Sequence, residues 1–130
     1  MTGHLSHRPE AREAGPELLV LSKWETFSAW LFEHSGRWPK SARFTLAQRV
    51  QVLALELAEL LVVARYEPAQ RRAVLRQANL ALERMRVLLR LALAARVTSA
   101  SGFESAMRGI DETGRMLHGW RKSLAGGDPP

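Results

Sequence analysis

The stretch that most limits what this chain can fold into is Glu67 to Val97, EPAQRRAVLRQANLALERMRVLLRLALAARV, which reads as one long helix. Pro68 falls in its first turn, where the missing N–H costs nothing. At about 100° per residue, Arg72, Arg76, Asn79, Glu83, Arg86 and Arg90 are spaced 4, 3, 4, 3 and 4 residues apart and project from one narrow face. Val74, Ala78, Ala81, Met85, Leu88, Ala92 and Ala95 lie opposite, and Ala73, Leu80, Val87, Leu91 and Ala94 form one flank. A rod that is apolar everywhere but along one charged stripe needs to be covered on most of its circumference, which other helices do best.

The rest of the chain supplies those helices. Glu17 to Ser35 is predicted to be the first, with Leu18, Leu21, Trp24, Phe27 and Leu31 at helical spacing and Gly36 as its stop. Trp24, Phe27, Trp30, Phe32 and Trp38 hold five of the nine aromatic residues and are expected in the core, not as a platform for bases. Pro39 interrupts the chain, and Thr45-x-x-Gln48 has the form of a capping box for a second helix ending near Tyr66. Val50, Val52, Leu53, Leu55, Leu57, Leu60, Leu61, Val62 and Val63 cover most of that helix. After the break at residues 98–102, Ser101-x-x-Glu104 is expected to cap a fourth helix to about Ser123. That helix would bury Phe103, Met107, Ile110, Leu117 and Trp120 and pair Glu104 with Arg108 and Asp111 with Arg115 on its outer face.

Four helices with short connections predict an all-α, up-down-up-down bundle over residues 17–123, with a flexible arm at 1–16 and a flexible tail at 124–130. No hairpin turn or alternating pattern suggests a sheet. The apolar surplus on the second and third helices exceeds what a monomer buries and predicts a homo-oligomer. No apolar run reaches the ~18 residues of a membrane span, the N-terminus lacks the apolar core of a secretory signal, and cysteine is absent. The expectation is a cytoplasmic protein that engages no membrane.

Net charge is +6, and its placement is more informative than its size. Residues 71–96 hold seven arginines, Arg71, Arg72, Arg76, Arg84, Arg86, Arg90 and Arg96, against the single Glu83, while basic and acidic residues balance elsewhere. The segment has no lysine. Arginine makes planar, bidentate contacts to phosphate and tolerates partial desolvation, so the stripe points to a polyanionic partner. Arg72, Arg76, Arg86 and Arg90, with Arg71, Arg84 and Arg96 beside them, are the candidate nucleic-acid-binding residues. No helix-turn-helix or zinc module suggests sequence-specific reading.

Catalytic patterns are thin. His4, His7, His34 and His118 have no metal-ligand relation to a carboxylate, and no phosphate loop, nucleophile triad or nucleotide fingerprint is present, so no metal, cofactor or catalytic residue is expected. Glu56 and Glu59 are the nearest approach to paired acids. A buried pair with a raised pKa would suit an acid–base catalyst, whereas the plainer reading makes them the polar edge of their helix or partners of arginines.

Two sets of residues resemble a known superfamily. Trp24-x-x-Phe27 followed by Trp38-Pro39-Lys40-Ser41-x-Arg43-Phe44-x-Leu46-x-Gln48 resembles the first helical junction of the four-helix-bundle proteins encoded in intervening sequences of large-subunit rRNA. Ala78, Leu82, Leu89-Arg90-Leu91 and Glu112-x-Gly114-Arg115-x-Leu117-x-Gly119-Trp120 resemble the Avd (accessory variability determinant) proteins of diversity-generating retroelements, a branch of that superfamily. The resemblance spans roughly residues 20–123. It implies a homopentameric barrel of four-helix bundles with a basic surface and no catalysis of its own. Such a barrel binds the retroelement's reverse transcriptase and associates with RNA or DNA during cDNA synthesis from the template-repeat RNA, in mutagenic retrohoming. The other branch would imply a structural or interaction bundle. The arm at 1–16 has no counterpart in the family, and the tail from Gly126 is not basic.

Overall fold

The computed structural model describes residues 15–127. The arm expected at 1–16, with His4 and His7, therefore lies outside the described residues as far as residue 14, and so do residues 128–130. Among the described residues there are four α-helices and no strand: α1 (Pro16–Gly36), α2 (Gln48–Tyr66), α3 (Arg71–Ala94) and α4 (Ala100–Gly127). Each helix packs on the next, and α4 closes back on α1. Lys23 pairs with Glu112 at 3.2 Å and His34 meets Thr98 at 2.8 Å, which sets α1 and α4 antiparallel. The bundle is up-down-up-down, as its short connections require.

The core forms because each helix repeats apolar side chains on one face. Trp24, Leu31, Leu57, Leu61, Leu75, Leu82, Met85, Leu89, Ile110 and Leu117 are fully buried. Trp24 Nε1 donates to the Ala54 carbonyl at 2.9 Å, so the largest core residue also ties α1 to α2. Ser35 Oγ donates to Leu31 O at 2.7 Å and accepts from Gln51 Nε2 at 2.9 Å, a second tie between the same helices. Along the α4 side of α1 the rings of Trp24, Phe27, Trp30, His34 and Trp38 succeed one another at centroid distances of 4.8–5.9 Å. Gly109 and Gly102 lie where a Cβ would overlap the Phe27 ring and the His34 imidazole respectively, so this close helix approach depends on their lacking one.

Helix ends differ from the sequence expectation in three places. The chain enters α2 through a 3-10 turn (Lys40–Ala42) and a five-residue π-helix (Arg43–Ala47). Thr45 is inside that turn, with its Oγ1 3.4 Å from Ala42 O, and the Gln48 N–H already donates to Arg43 O. No free N–H exists there for a Thr45 capping box to satisfy. Ser99, not Ser101, caps α4: its Oγ accepts from the Gly102 N–H at 3.0 Å, because the first intrahelical bond is Phe103 N–H to Ser99 O. And α4 continues to Gly127, so residues 124–127 are helix where a tail was expected.

α3 stops in a Schellman arrangement, with Val97 N–H donating to Ala92 O at 2.8 Å and Arg96 N–H to Leu93 O at 3.0 Å. Arg96 holds the left-handed position, at φ 61°, where glycine is the usual occupant. Arg96→Gly is expected to raise stability by about 1 kcal/mol, the cost of a left-handed L-residue, read as an increase of several degrees in melting temperature.

Burial, and then the charge of Arg37, hold the His34 pKa below 6.5. The unfolded chain therefore takes up this proton first as pH falls, so His34 contributes stability above pH ~6.5 that is lost progressively below it. His34→Gln should shrink the drop in melting temperature between pH 7.5 and pH 5.5; an unchanged drop would remove His34 from the acid response.

Candidate nucleic-acid interface

The antiparallel packing of α3 and α4 sets the first turns of α3 beside the last turns of α4. Leu117 and Trp120 point into the core, so His118, Arg121 and Lys122 project outward from the same stretch of α4. Across from them stand Arg72 and Arg76, and with Leu124 these side chains line a cleft of about 420 Å³. One Arg72 amino group approaches the Leu124 carbonyl at 3.4 Å, near the helix end whose dipole favours cations. Among the described residues no carboxylate lines the cleft. Arg76 has no hydrogen bond or ion pair among them, so its guanidinium is available to a ligand.

The seven arginines singled out in the sequence divide by what they touch. Arg72 and Arg76 line the cleft, and Arg90 is exposed 14 residues beyond Arg76, about 21 Å along the same helix. Arg86, in the middle of the stripe, is turned toward α4. Its side chain is only 18% exposed, and its guanidinium is held by Glu83 and by Asp111 Oδ1 at 3.0 Å. Gly114 makes room for it, since a Cβ there would stand 3.3 Å from the guanidinium. Asp111 is thus taken from the expected pairing with Arg115, and neither surface pair foreseen on α4 forms. Arg71 donates to the carbonyls of Ala64 and Arg65 and so closes the end of α2. Arg84 pairs with Glu56 at 3.8 Å, and Arg96 sits in the turn after α3.

Removing Arg86 leaves two carboxylates without their cation. Arg86→Ala is expected to cost about 1–2 kcal/mol of stability, measured as a lower urea midpoint, with no change in the salt dependence of nucleic-acid binding. A variant that keeps its midpoint but loses binding would return Arg86 to the ligand face.

Glu56 and Glu59 are both exposed, so the burial that a paired acid–base catalyst requires is missing. Glu56 borders a shallow groove between α2 and α3 together with Arg49, Val52, Arg84, Val87 and Leu88. Among the described residues no three His, Asp or Glu side chains converge as a metal ion would need, and no helix is long and apolar enough to cross a membrane. The groove lies in a wider apolar band. Val52, Leu55, Val62 and Tyr66 face outward from α2, and Leu80, Val87 and Leu91 face outward from α3.

Residues 18–124 match the family model described as bAvd-like. The chain belongs to that family. Avd-like proteins are accessory, non-catalytic components of diversity-generating retroelements, and membership implies association with retroelement proteins. No curated protein and no solved structure matches the chain. The Avd-like segment Glu112–Trp120 has a structural reading here: Glu112 pairs with Lys23, Gly114 admits Arg86, and Leu117 and Trp120 fill the core. The cationic side chains of α4 that complete the cleft lie directly after it. His118, Arg121 and Lys122 were missed in the sequence because charge was counted along one helix. Their spacing of three and four residues on the outer side of a helix antiparallel to α3 is the signal that could have found them.

Proposed function

We propose that this Avd-like protein is a non-catalytic nucleic-acid-binding scaffold of its retroelement. It holds template-repeat RNA or the cDNA copied from it in the α3–α4 cleft and brings that strand to the reverse transcriptase in the cytoplasm, in support of mutagenic retrohoming. The observation that carries this reading is the cleft itself: Arg72, Arg76, His118, Arg121 and Lys122 converge with no carboxylate among the described lining residues. Arginine-rich clefts of this kind bind phosphodiesters without reading sequence, and Arg90 would extend the track along α3. The apolar band across α2 and α3 supports self-association of several copies, a pentameric ring in the family's manner, which would repeat the cleft around an axis and multiply its field.

Titrating a labelled single-stranded RNA with the full chain from about 50 to 200 mM KCl tests the reading. Three or four phosphate contacts give a slope of log K against log salt near −2 to −3; a flat dependence would overturn it. Light scattering on the same sample should give a multiple of the chain mass, and the neighbouring reverse transcriptase should be retained by the immobilised protein. A single-chain mass would remove the ring, and loss of retention would remove the polymerase from the partners.

A further inference from the structure

The connection between α1 and α2 lies far from the cleft and takes no part in it. Residues 37–49, RWPKSARFTLAQR, carry Arg37, Lys40, Arg43 and Arg49, and no Asp or Glu occurs between Glu33 and Glu56. Arg37 has a carboxylate partner, Glu33 at 3.8 Å, whereas Lys40 and Arg43 have neither an ion pair nor a side-chain hydrogen bond among the described residues. Beside them stands Phe44, 77% exposed, more than any other large apolar side chain described.

The corner is held firmly. Trp38, Ala42 and Ala47 are buried, Trp38 N–H donates to Ser35 O at 3.1 Å and Ala42 N–H to Pro39 O at 2.9 Å. The π-helical turn of Arg43–Ala47 sits on these anchors and presents Arg43, Phe44 and Thr45 to water. Short π-helical turns are uncommon and cluster at functional sites. Gln48 and Arg49 separate Phe44 from Val52, so the ring has cationic and polar neighbours before the apolar band begins.

We propose that this corner is a second nucleic-acid contact, specific for single strands, in which Phe44 stacks on an unpaired base while Lys40 and Arg43 hold the flanking phosphates. An open aromatic face between unpaired cations is the arrangement that binds single strands without sequence preference. A duplex keeps its bases stacked on each other and cannot use the ring. An acidic peptide would neutralise the cations but offer the ring no flat partner. Arg96, in the α3–α4 connection that the His34–Thr98 contact ties to the end of α1, adds a further cation at this end of the bundle. From the cleft reading the proposal takes only the class of ligand.

The test compares Phe44→Ala, Phe44→Trp and the unaltered full chain, using labelled single-stranded RNA and the corresponding duplex. Phe44→Ala should weaken single-strand binding by about 5- to 100-fold, the worth of one stacked base, with duplex binding and the salt slope unchanged. Phe44→Trp should restore it. Lys40→Glu with Arg43→Glu should also flatten the salt slope. Unchanged single-strand binding in Phe44→Ala overturns the corner site while leaving the cleft standing, provided that Arg76→Glu with Arg121→Glu still weakens both ligands. Should neither variant alter binding, both sites fall. A drop in particle mass in Phe44→Ala by light scattering would make Phe44 a contact between copies and overturn the proposal as well.

Discussion

Trp24→Ala is expected to lose about 3–5 kcal/mol of stability, the range for deleting a large aromatic from a packed core. Trp24 is fully buried, stacks toward Phe27 at a centroid distance of 5.1 Å, and donates its indole N–H to the Ala54 carbonyl. The truncation opens a cavity between α1 and α2 and removes a hydrogen bond that joins them. Small domains have only about 5–15 kcal/mol in total, so the variant should sit near the edge of folding at 37 °C. Trp24→Phe separates the two contributions: it keeps much of the volume and loses the donor, at a cost nearer 1–2 kcal/mol. Urea midpoints at a fixed chain concentration measure both, since self-association would make stability depend on concentration. A Trp24→Ala chain with an unshifted midpoint would mean that the α1–α2 seam does not depend on this residue.

That the chain is an all-helical bundle was legible because helical periodicity is a local property, repeated in four segments with a burial face on each. Trp24, Leu31, Ile110, Leu117 and Trp120 fell on the faces their spacing assigned. Ends were less legible because several local solutions compete at each. Ser99 and Ser101 are both chemically able to cap α4, and only the path of the chain out of α3 selects the first. Arg96 in a left-handed turn could not be foreseen, since sequence reasoning looks for glycine there. The arginine stripe was legible as an angle and not as a set of neighbours. A helical wheel places Arg86 and Arg90 on one line, yet α4 runs along the Arg86 side and offers Asp111, while Arg90 stays exposed. The cleft was invisible for the same reason, because His118 and Arg121 meet Arg72 and Arg76 only through the register of α3 against α4.

Arg76→Glu combined with Arg121→Glu should lower affinity for single-stranded RNA by roughly 30- to 100-fold near 0.1 M salt, and make the salt slope shallower by about 1.4. The two residues lie on different helices and line one cleft, so the pair tests the site and not a single helix. Both are exposed and neither has an ion pair among the described residues, so helicity and the urea midpoint should be preserved, unlike in Arg86→Ala. This contrast matters because the stripe read from the sequence would direct mutagenesis at Arg86 with Arg90. There, a loss of binding would be confounded with release of Glu83 and Asp111. A matched Arg76→Gln with Arg121→Gln variant should fall between, as removal of charge loses two phosphate contacts and reversal adds repulsion. If all three proteins bind RNA alike with the same salt slope, phosphate does not enter the α3–α4 cleft, and the exposed Arg90 or the Lys40–Phe44 corner must carry whatever binding remains.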